Sequence, residues 1–501
     1  MRSNIVNGLL FGLLPLSNMA FGAEQAGTDD RLNVVLITAD DLNYTSVGYM
    51  GCPIPEITPN LDRLASEGII FNHAYVNIAV SQPSRAVLAT GLYSHRNGVE
   101  GFYHTDKPVL TVMQVFHDNG YATGIAGKLD HSSPIVPYQW DTLVDQPELG
   151  EGRDPRRYYE VFNQFVKEAV RTNKPFYFML NSHDPHAPFH GSAREKKVYP
   201  NKNFPDASRV YTASEMIVPD FIISTEKVKA ELAQYYSSVR RMDDTVGEVM
   251  RVLREQGLEK NTLVMFLSDN GMDFPFAKTN CYVNSNRTPW IARWPGVTTP
   301  GGVDNTSFIA GIDFMPTVLD ACGIELPQPV DGRSFVEALK GEPMTERNRV
   351  FTQFYETSGK QRYPMFAVHD ADFCYIFNAW ADGKTVFKNC SWGGLTFESM
   401  VEESENNPVI RQRLEFFKCR TREELYDVRK DPDGLHDLID DSVYPEVVDR
   451  YRGYLLEWME ATGSPALEMF KHRDNEEIRK AFIKEEQQKI KKKATKKNKK
   501  Q

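Results

Sequence analysis

At 501 residues and 41 % hydrophobic content, the chain can bury a sizeable core and is long enough for more than one domain. Its 58 Lys and Arg against 68 Asp and Glu give a net charge of −10, which argues against a protein that wraps nucleic acid. Six cysteines, at 52, 281, 322, 374, 390 and 419, form no CxxC pair, so no zinc or dithiol motif is present, and a chain of this size needs no disulfide staples.

The N-terminus reads as a cleaved export signal over 1–22. Arg2 precedes the apolar run Leu9-Leu10-Phe11-Gly12-Leu13-Leu14, and small residues follow at Ala20, Gly22 and Ala23. The run is too short for a membrane anchor, so a periplasmic or secreted protein without stable membrane insertion is expected. Next, Asn33-Val34-Val35-Leu36-Ile37-Thr38 has the continuous apolar texture of a buried parallel strand and delivers Asp40-Asp41 from its carboxyl end. A shorter strand over 122–126 opens into Gly127-Lys128. Phe176-Tyr177-Phe178-Met179-Leu180 runs into Asn181-Ser182-His183-Asp184-Pro185-His186. Val239, Met242, Val246, Val249 and Leu253 recur at helical spacing, and Gly257 ends that helix. Leu263-Val264-Met265-Phe266-Leu267 then leads to Ser268-Asp269-Asn270-Gly271.

Helix and strand alternating in this way predict an α/β domain over 23–345, with its ligand beyond the strands' carboxyl ends. After 345 the runs shorten, as in Met365-Phe366-Ala367-Val368 and Phe373-Cys374-Tyr375-Ile376-Phe377. Glu424-Leu425-Tyr426-Asp427 and an amphipathic helix over 444–459 follow. A smaller α+β domain over 346–485 is expected, then a Lys-rich, disordered tail over 486–501, with adhesion to a polyanion or anionic lipid as its functional alternative.

Asp40, Asp41, Asp269 and Asn270 offer only oxygen ligands, a set suited to Ca²⁺ or Mg²⁺ rather than zinc. Either motif alone reads as turn or cap chemistry; two of them at the ends of two apolar strands point to a metal. Ser81-Gln82-Pro83-Ser84-Arg85 lacks the Gly-x-Ser-x-Gly elbow, so an unmodified Ser81 is a poor nucleophile. Ser81 also reads as a helix N-cap, with Arg85 just inside the helix and facing the same anion as its N-terminus. Lys128, His131, His183 and Lys278 add cationic or proton-carrying groups on strand-end loops.

Ser81-Gln82-Pro83-Ser84-Arg85, followed by Ala89-Thr90-Gly91-Leu92, resembles the sulfatase signature, in which a Cys or Ser is oxidised to formylglycine. Asp40-Asp41, Gly127-Lys128, His183-Asp184-Pro185-His186, Ser268-Asp269-Asn270-Gly271, Trp294-Pro295-Gly296, Asp313-Phe314-Met315-Pro316-Thr317 and Glu424-Leu425-Tyr426-Asp427 follow in family order. The resemblance implies an alkaline-phosphatase-like fold: a large central mixed sheet flanked by helices, plus the smaller C-terminal domain. It implies a formylglycine at Ser81, made before export by a serine-type maturation enzyme of a bacterial host. It places Asp40, Asp41, Ser81, Asp269 and Asn270 around Ca²⁺, with Mg²⁺ as the alternative. Arg85 and Lys128 would stabilise the hydrated aldehyde, His183 would protonate the leaving group, and a base near His131 would release sulfate. Lys278 would bind sulfate oxygens, with His186, Glu356 and Arg362 as further substrate contacts.

Within the family, Asp269-Asn270-Gly271-Met272-Asp273-Phe274-Pro275-Phe276-Ala277-Lys278-Thr279-Asn280 is similar to the heparan N-sulfatase group, as is the run from Gln234-Tyr235-Tyr236 to Arg241-Met242-Asp243. The family usually has a His two residues after the Lys of Gly-Lys, where this chain has Leu129-Asp130-His131 after Lys128. Either His131 takes the role from a loop one residue longer, or Asp130 does something else. The expected activity is hydrolysis of sulfated, heparin- or heparan-type glycans at N- or O-sulfate. A phosphate or phosphonate ester hydrolase of the same superfamily and a catalytically dead glycan-binding homologue are the alternatives.

Overall fold

The computed structural model describes residues 30–498, with side chains described through Lys489, so the expected export signal lies outside the described residues. In chain order the strands are β1 (Asn33–Asp40), β2 (Ile69–Phe71), β3 (Ala74–Tyr75), β4 (Ala122–Ala126), β5 (Thr142–Val144), β6 (Phe176–Pro185), β7 (Thr262–Ser268), β8 (Trp290–Arg293), β9 (Gly302–Asp304), β10 (Ile309–Ala310), β11 (Arg349–Glu356), β12 (Arg362–Asp370), β13 (Phe373–Asn378) and β14 (Glu423–Asp427). Eight form one sheet in the order β5-β4-β6-β1-β7-β8-β2-β9. The pairs β4–β6, β6–β1 and β1–β7 are parallel, and β8 runs antiparallel to β7 and β2, so the sheet is mixed.

The apolar runs are continuous because both sheet faces are covered. Along β1, Val34 and Leu36 face one core while Val35 and Ile37 face the other; β7 splits likewise into Leu263, Met265, Leu267 and Val264, Phe266. The helices Pro155–Arg171 and Glu226–Glu255 supply Phe162, Phe165 and Val246 to one face, and Val112–Asp118 and Phe314–Ala321 supply Phe116 and Phe314 to the other. The helix that carries the Val239–Leu253 spacing is 30 residues long, Glu226–Glu255. Val228, Leu232, Tyr235 and Tyr236 extend its buried face, and the Thr225 side chain caps it by accepting from Val228 N.

The small antiparallel sheet β11-β12-β13-β14 begins at Arg349 and shares a core with the first, through Phe354, Phe366, Val368 and Phe377. The helix Pro445–Thr462 packs on it through Tyr451 and Leu455. Up to residue 498 the tail departs from the expected disorder, because a helix runs from Glu476 to Asn498. Ile478, Phe482 and Glu486 recur every four residues. The first two pack on the core, and Glu486 is 3 % exposed with its carboxylate accepting from Arg362 Nε at 2.7 Å. All six cysteines are free, with Cys281 and Cys374 buried. Among the described residues no helix is long and apolar enough to cross a membrane.

Candidate active site

The carboxyl ends of β4, β6, β1 and β7 lie side by side, and each releases its polar residues at one sheet edge. Register makes this unavoidable: Ala126 pairs with Leu180, Asp40 with Pro185 and Ala39 with Ser268. Beyond the strands the chain turns through left-handed backbone at Asp41 (φ 66°) and Lys128 (φ 52°), conformations that non-glycine residues keep only where surrounding contacts impose them. The loop after β7 needs its glycine, since a Cβ on Gly271 would lie 2.0 Å from the Asn284 carbonyl oxygen.

Asp40 and Asp41 are fully buried, as are Asp269 and Arg85. Ser81 opens the helix Ser81–Thr90, every residue of which is buried. It is not the N-cap, a position held by Val80; its hydroxyl instead donates to Asp40 Oδ1 at 3.0 Å. Lys128 is ion-paired with Asp40. Asp41 accepts from Asn270 Nδ2 at 2.7 Å and from Lys278 Nζ at 2.6 Å, and Asp41 N donates to Asp269 Oδ1 at 3.2 Å. Arg85 donates through Nε to Asp269 at 3.0 Å and through Nη1 to Thr38 at 2.6 Å. His183 and His186 stand 3.9 Å from Asp40 and 3.8 Å from Asp41, with their rings 5.0 Å apart.

Three carboxylates are thus balanced by three cations. Burial pushes Asp41 up to about 6, although Lys278 opposes the shift, and burial together with the charge of Asp40 pushes Asp269 up to about 7. Burial would also raise Asp40, but the charges of Lys128 and Arg85 outweigh it and hold that carboxyl well below the usual range. His131 and His186 are each lowered to about 3, chiefly by burial; burial and Lys128 also push His183 well below the ordinary imidazole range. The three imidazoles are therefore neutral. Asn270 Oδ1 is buried without a hydrogen-bond partner, and oxygen and nitrogen atoms of Asp40, Asp41 and His186 lie within 4.8 Å of one another. A divalent cation among these oxygens would relieve the carboxylate repulsion and turn a neutral cage into one that attracts a dianion. The donor set fits a hard cation.

His131 sits beside Lys128 and against the Phe102 ring at 5.3 Å, with Nδ1 unpartnered. Asp130 points away from the cage: its side chain is 60 % exposed and is bonded by His104 and Tyr138. Glu356 and Arg362 do not join the site. Arg362 is an interior residue with no exposed side-chain surface, clamped by Glu100, Glu356 and Glu486. As substrate contacts they are withdrawn, because both are buried and the guanidinium, with no exposed surface and three carboxylates around it, cannot reach a ligand.

Residues that sequence reasoning missed include Asn181, which accepts from Arg85 and donates to Gly127 O at 2.8 Å, and Thr38, which bonds Asn181 at 2.7 Å. Both end apolar strands, which was the available signal. Asp273 is 9 % exposed, with Oδ1 unpartnered, and lies close enough to act electrostatically on Asp41, His186 and Lys278.

Comparison with known proteins gives the family and the fold. The sulfatase family profile matches residues 32–324, and that of the N-sulphoglucosamine sulphohydrolase C-terminal region matches 273–384. The chain is 28 % identical to the N-sulphoglucosamine sulphohydrolase of Homo sapiens over 462 residues, covering 86 % of this chain and 91 % of that one. It superposes with a TM-score of 0.64 on the structure of a protein in complex with its substrate D-glucosamine-2-N,6-O-disulfate, at 19 % identity over 87 % of this chain and 99 % of that one. The phosphonate monoester hydrolase of Agrobacterium radiobacter shares the fold at a TM-score of 0.61 and 19 % identity, covering 86 % of this chain and 96 % of that one.

Proposed function

The chain belongs to the sulfatase family, and from that premise we propose that it removes sulfate from heparin- or heparan-type saccharides, after export, through a formylglycine made from Ser81 and with Ca²⁺ bound by Asp40, Asp41, Asp269 and Asn270. The observation that carries this reading is the position of Ser81. Its oxygen heads a buried helix, touches Asp40 at 3.0 Å, and shares one cage with Arg85, Lys128 and Lys278. The similarity to N-sulphoglucosamine sulphohydrolase in both halves favours a glucosamine N-sulfate among the candidate bonds.

When present, the aldehyde hydrate supplies an oxygen nucleophile with a second hydroxyl, and Ca²⁺ supplies positive charge beside it. The remaining work falls to side chains. Arg85, fixed by Asp269, Thr38 and Asn181, cannot rotate away, and Lys128 holds its ammonium against Asp40. Lys278 stays charged, because Asp41 beside it outweighs the burial that works against the ammonium. These cations meet the charge that builds on the sulfuryl oxygens. His183 is neutral before substrate binds; an arriving sulfate raises its proton affinity and fits it to protonate the leaving oxygen or nitrogen. His131, neutral and with a free Nδ1, suits the base.

Mass spectrometry of the peptide that contains Ser81, from protein co-produced with a serine-type maturation enzyme, tests the central step. The peptide should be two hydrogens lighter than its sequence mass; a fully unmodified serine in active enzyme overturns the proposal, and in inactive protein points to a binding homologue. Sulfate should leave an aryl ester faster than phosphate. The reverse order assigns the chain to phosphate or phosphonate esters, whose hydrolases share this fold.

A further inference from the structure

A cleft of about 660 Å³ opens between the catalytic domain and the start of β11 with the end of the helix Pro445–Thr462. Asp331, in its wall, and the adjoining Gly332 donate through their N–H groups to Gly91 O at 2.8 and 3.1 Å. Gly91 caps the carboxyl end of the buried helix whose first residue is Ser81, so the cleft stands at the far end of that helix, roughly 15 Å from the cage. Its volume lies within the ~300–1,000 Å³ typical of ligand sites.

The cleft leaves positive charge unmatched. Asp313 accepts from Ala310 N at 2.9 Å and Arg333 N at 2.8 Å, and pairs with Arg347 at 2.9 Å. Asp331 accepts from Tyr93 N at 3.0 Å and is ion-paired with Arg96. Both acids are therefore satisfied inside the protein. Two of the arginines are not: among the described residues, Arg333 and Arg349 have no ion-pair partner. Arg333 is exposed, and Arg349 lies over the Tyr454 ring at 3.5 Å with its Nε donating to Asn348 Oδ1 at 3.0 Å. Arg347, 3 % exposed, keeps a buried Nε without an acceptor. Glu346 is the unpaired acid of the wall, so the cleft has a surplus of one positive charge in a chain of net −10.

The same cleft has an aromatic wall. Tyr93 meets Trp458 edge-on at 5.1 Å, and Phe351 stacks on Trp458 at 5.5 Å, so the three rings are held rigidly. A small inorganic anion would use the guanidiniums and leave this wall bare. A neutral sugar would use the wall and leave the guanidiniums unmet. A ligand with both a ring face and fixed anionic groups uses the whole cleft.

We propose that this cleft is a second, non-catalytic site for an acidic saccharide unit, one that bears sulfate or carboxylate groups. The identity of the ligand rests on the sulfatase reading above, while the cleft shares no residue with the cage. Its occupancy adds affinity for the saccharide that the cage does not supply.

The test is titration calorimetry of a heparin-derived tetrasaccharide into full-length Ser81→Ala protein, at about 0.05 M salt so that screening is weak. Two sites per chain are expected. Adding Arg333→Gln with Arg349→Gln should weaken one of them by roughly tenfold or more, since charge-assisted hydrogen bonds are lost. Ala461→Trp, which fills the cleft from an exposed position without altering charge, should do the same. One site per chain before these changes, or two sites that neither variant alters, overturns the proposal. Inorganic sulfate that displaces the tetrasaccharide from the cleft at equal concentration assigns it to a small anion and overturns the saccharide claim. With Ser81 present, both variants should turn over 4-nitrophenyl sulfate within about twofold of the parent, because substitutions this far apart act independently. A large loss there shows that they act through the cage, which also overturns the assignment. Absence of turnover by the parent counts only against the reading of the cage, since the calorimetry requires none.

Discussion

Two clusters of buried charge meet at neighbouring residues of β6 and differ in one respect. Asp184 is 1 % exposed, and both its oxygens are taken: Arg241 donates to them at 2.6 and 3.1 Å, and Arg153 adds a further bond while also donating to His186 O at 3.0 Å. One residue earlier, His183 faces the Asp40–Asp41 cage, where Asn270 Oδ1 and Asp273 Oδ1 have no hydrogen-bond partner and two carboxyls are pushed up in pKa. The same residue types thus build a closed scaffold and an open site. Closure marks structure, because both carboxylate oxygens of Asp184 are met inside the protein; open valence marks chemistry, because something from outside must meet it.

Substitutions should separate the two. Ser81→Ala should lower kcat by more than about 10³-fold with the thermal midpoint nearly unchanged, since it removes the nucleophile from a site that does not hold the fold together. Comparable turnover by this variant and the parent would sink the nucleophile assignment. Asp269→Ala should lower kcat/KM by roughly 10²-fold or more and reduce bound divalent metal measured by elemental analysis. Full metal content in that variant removes Asp269 from the ligand set.

In the closed cluster, Arg241→Met should destabilise by about 3–5 kcal/mol, because it strands the buried charge of Asp184. A urea midpoint like the parent's would show that the cluster is not scaffolding. The last effect, absent near neutral pH and growing only on acidification, belongs to a neutral interior group. Burial lowers His369 of β12 to about 3, and its Nε2 meets Thr352 Oγ1 at 3.0 Å. The unfolded chain takes up this proton near pH 6.5 and the folded chain does not, so the contribution is present above that pH and is lost on acidification toward 3. The slope is about 1.4 kcal/mol per pH unit. His369→Gln should flatten the acid side of the thermal-midpoint profile by that share; an unchanged profile refutes the shift.

Much of the fold was legible in the sequence because β1, β6 and β7 are covered on both faces, which forces unbroken apolar runs, and each run ends in its functional residues. Asp40, Asp41, Asp269 and Asn270 could therefore be placed at one sheet edge before any coordinates. Glu356 and Arg362 were misassigned, since a strand-end arginine looks the same in sequence whether it faces a ligand or three carboxylates. The terminal helix was missed because composition reports the lysines and is silent about Glu486, whose partner lies 124 residues away.

Local pattern, then, determined the strands, their polar tips and the signature around Ser81, because periodicity and turn chemistry act over a few neighbouring residues. Tertiary structure alone decided which charges are satisfied and which are left open, since hydrogen-bond closure depends on groups brought together from distant segments. It is that difference which separates Asp184, with both oxygens bonded by arginines, from Asn270, whose Oδ1 is left open.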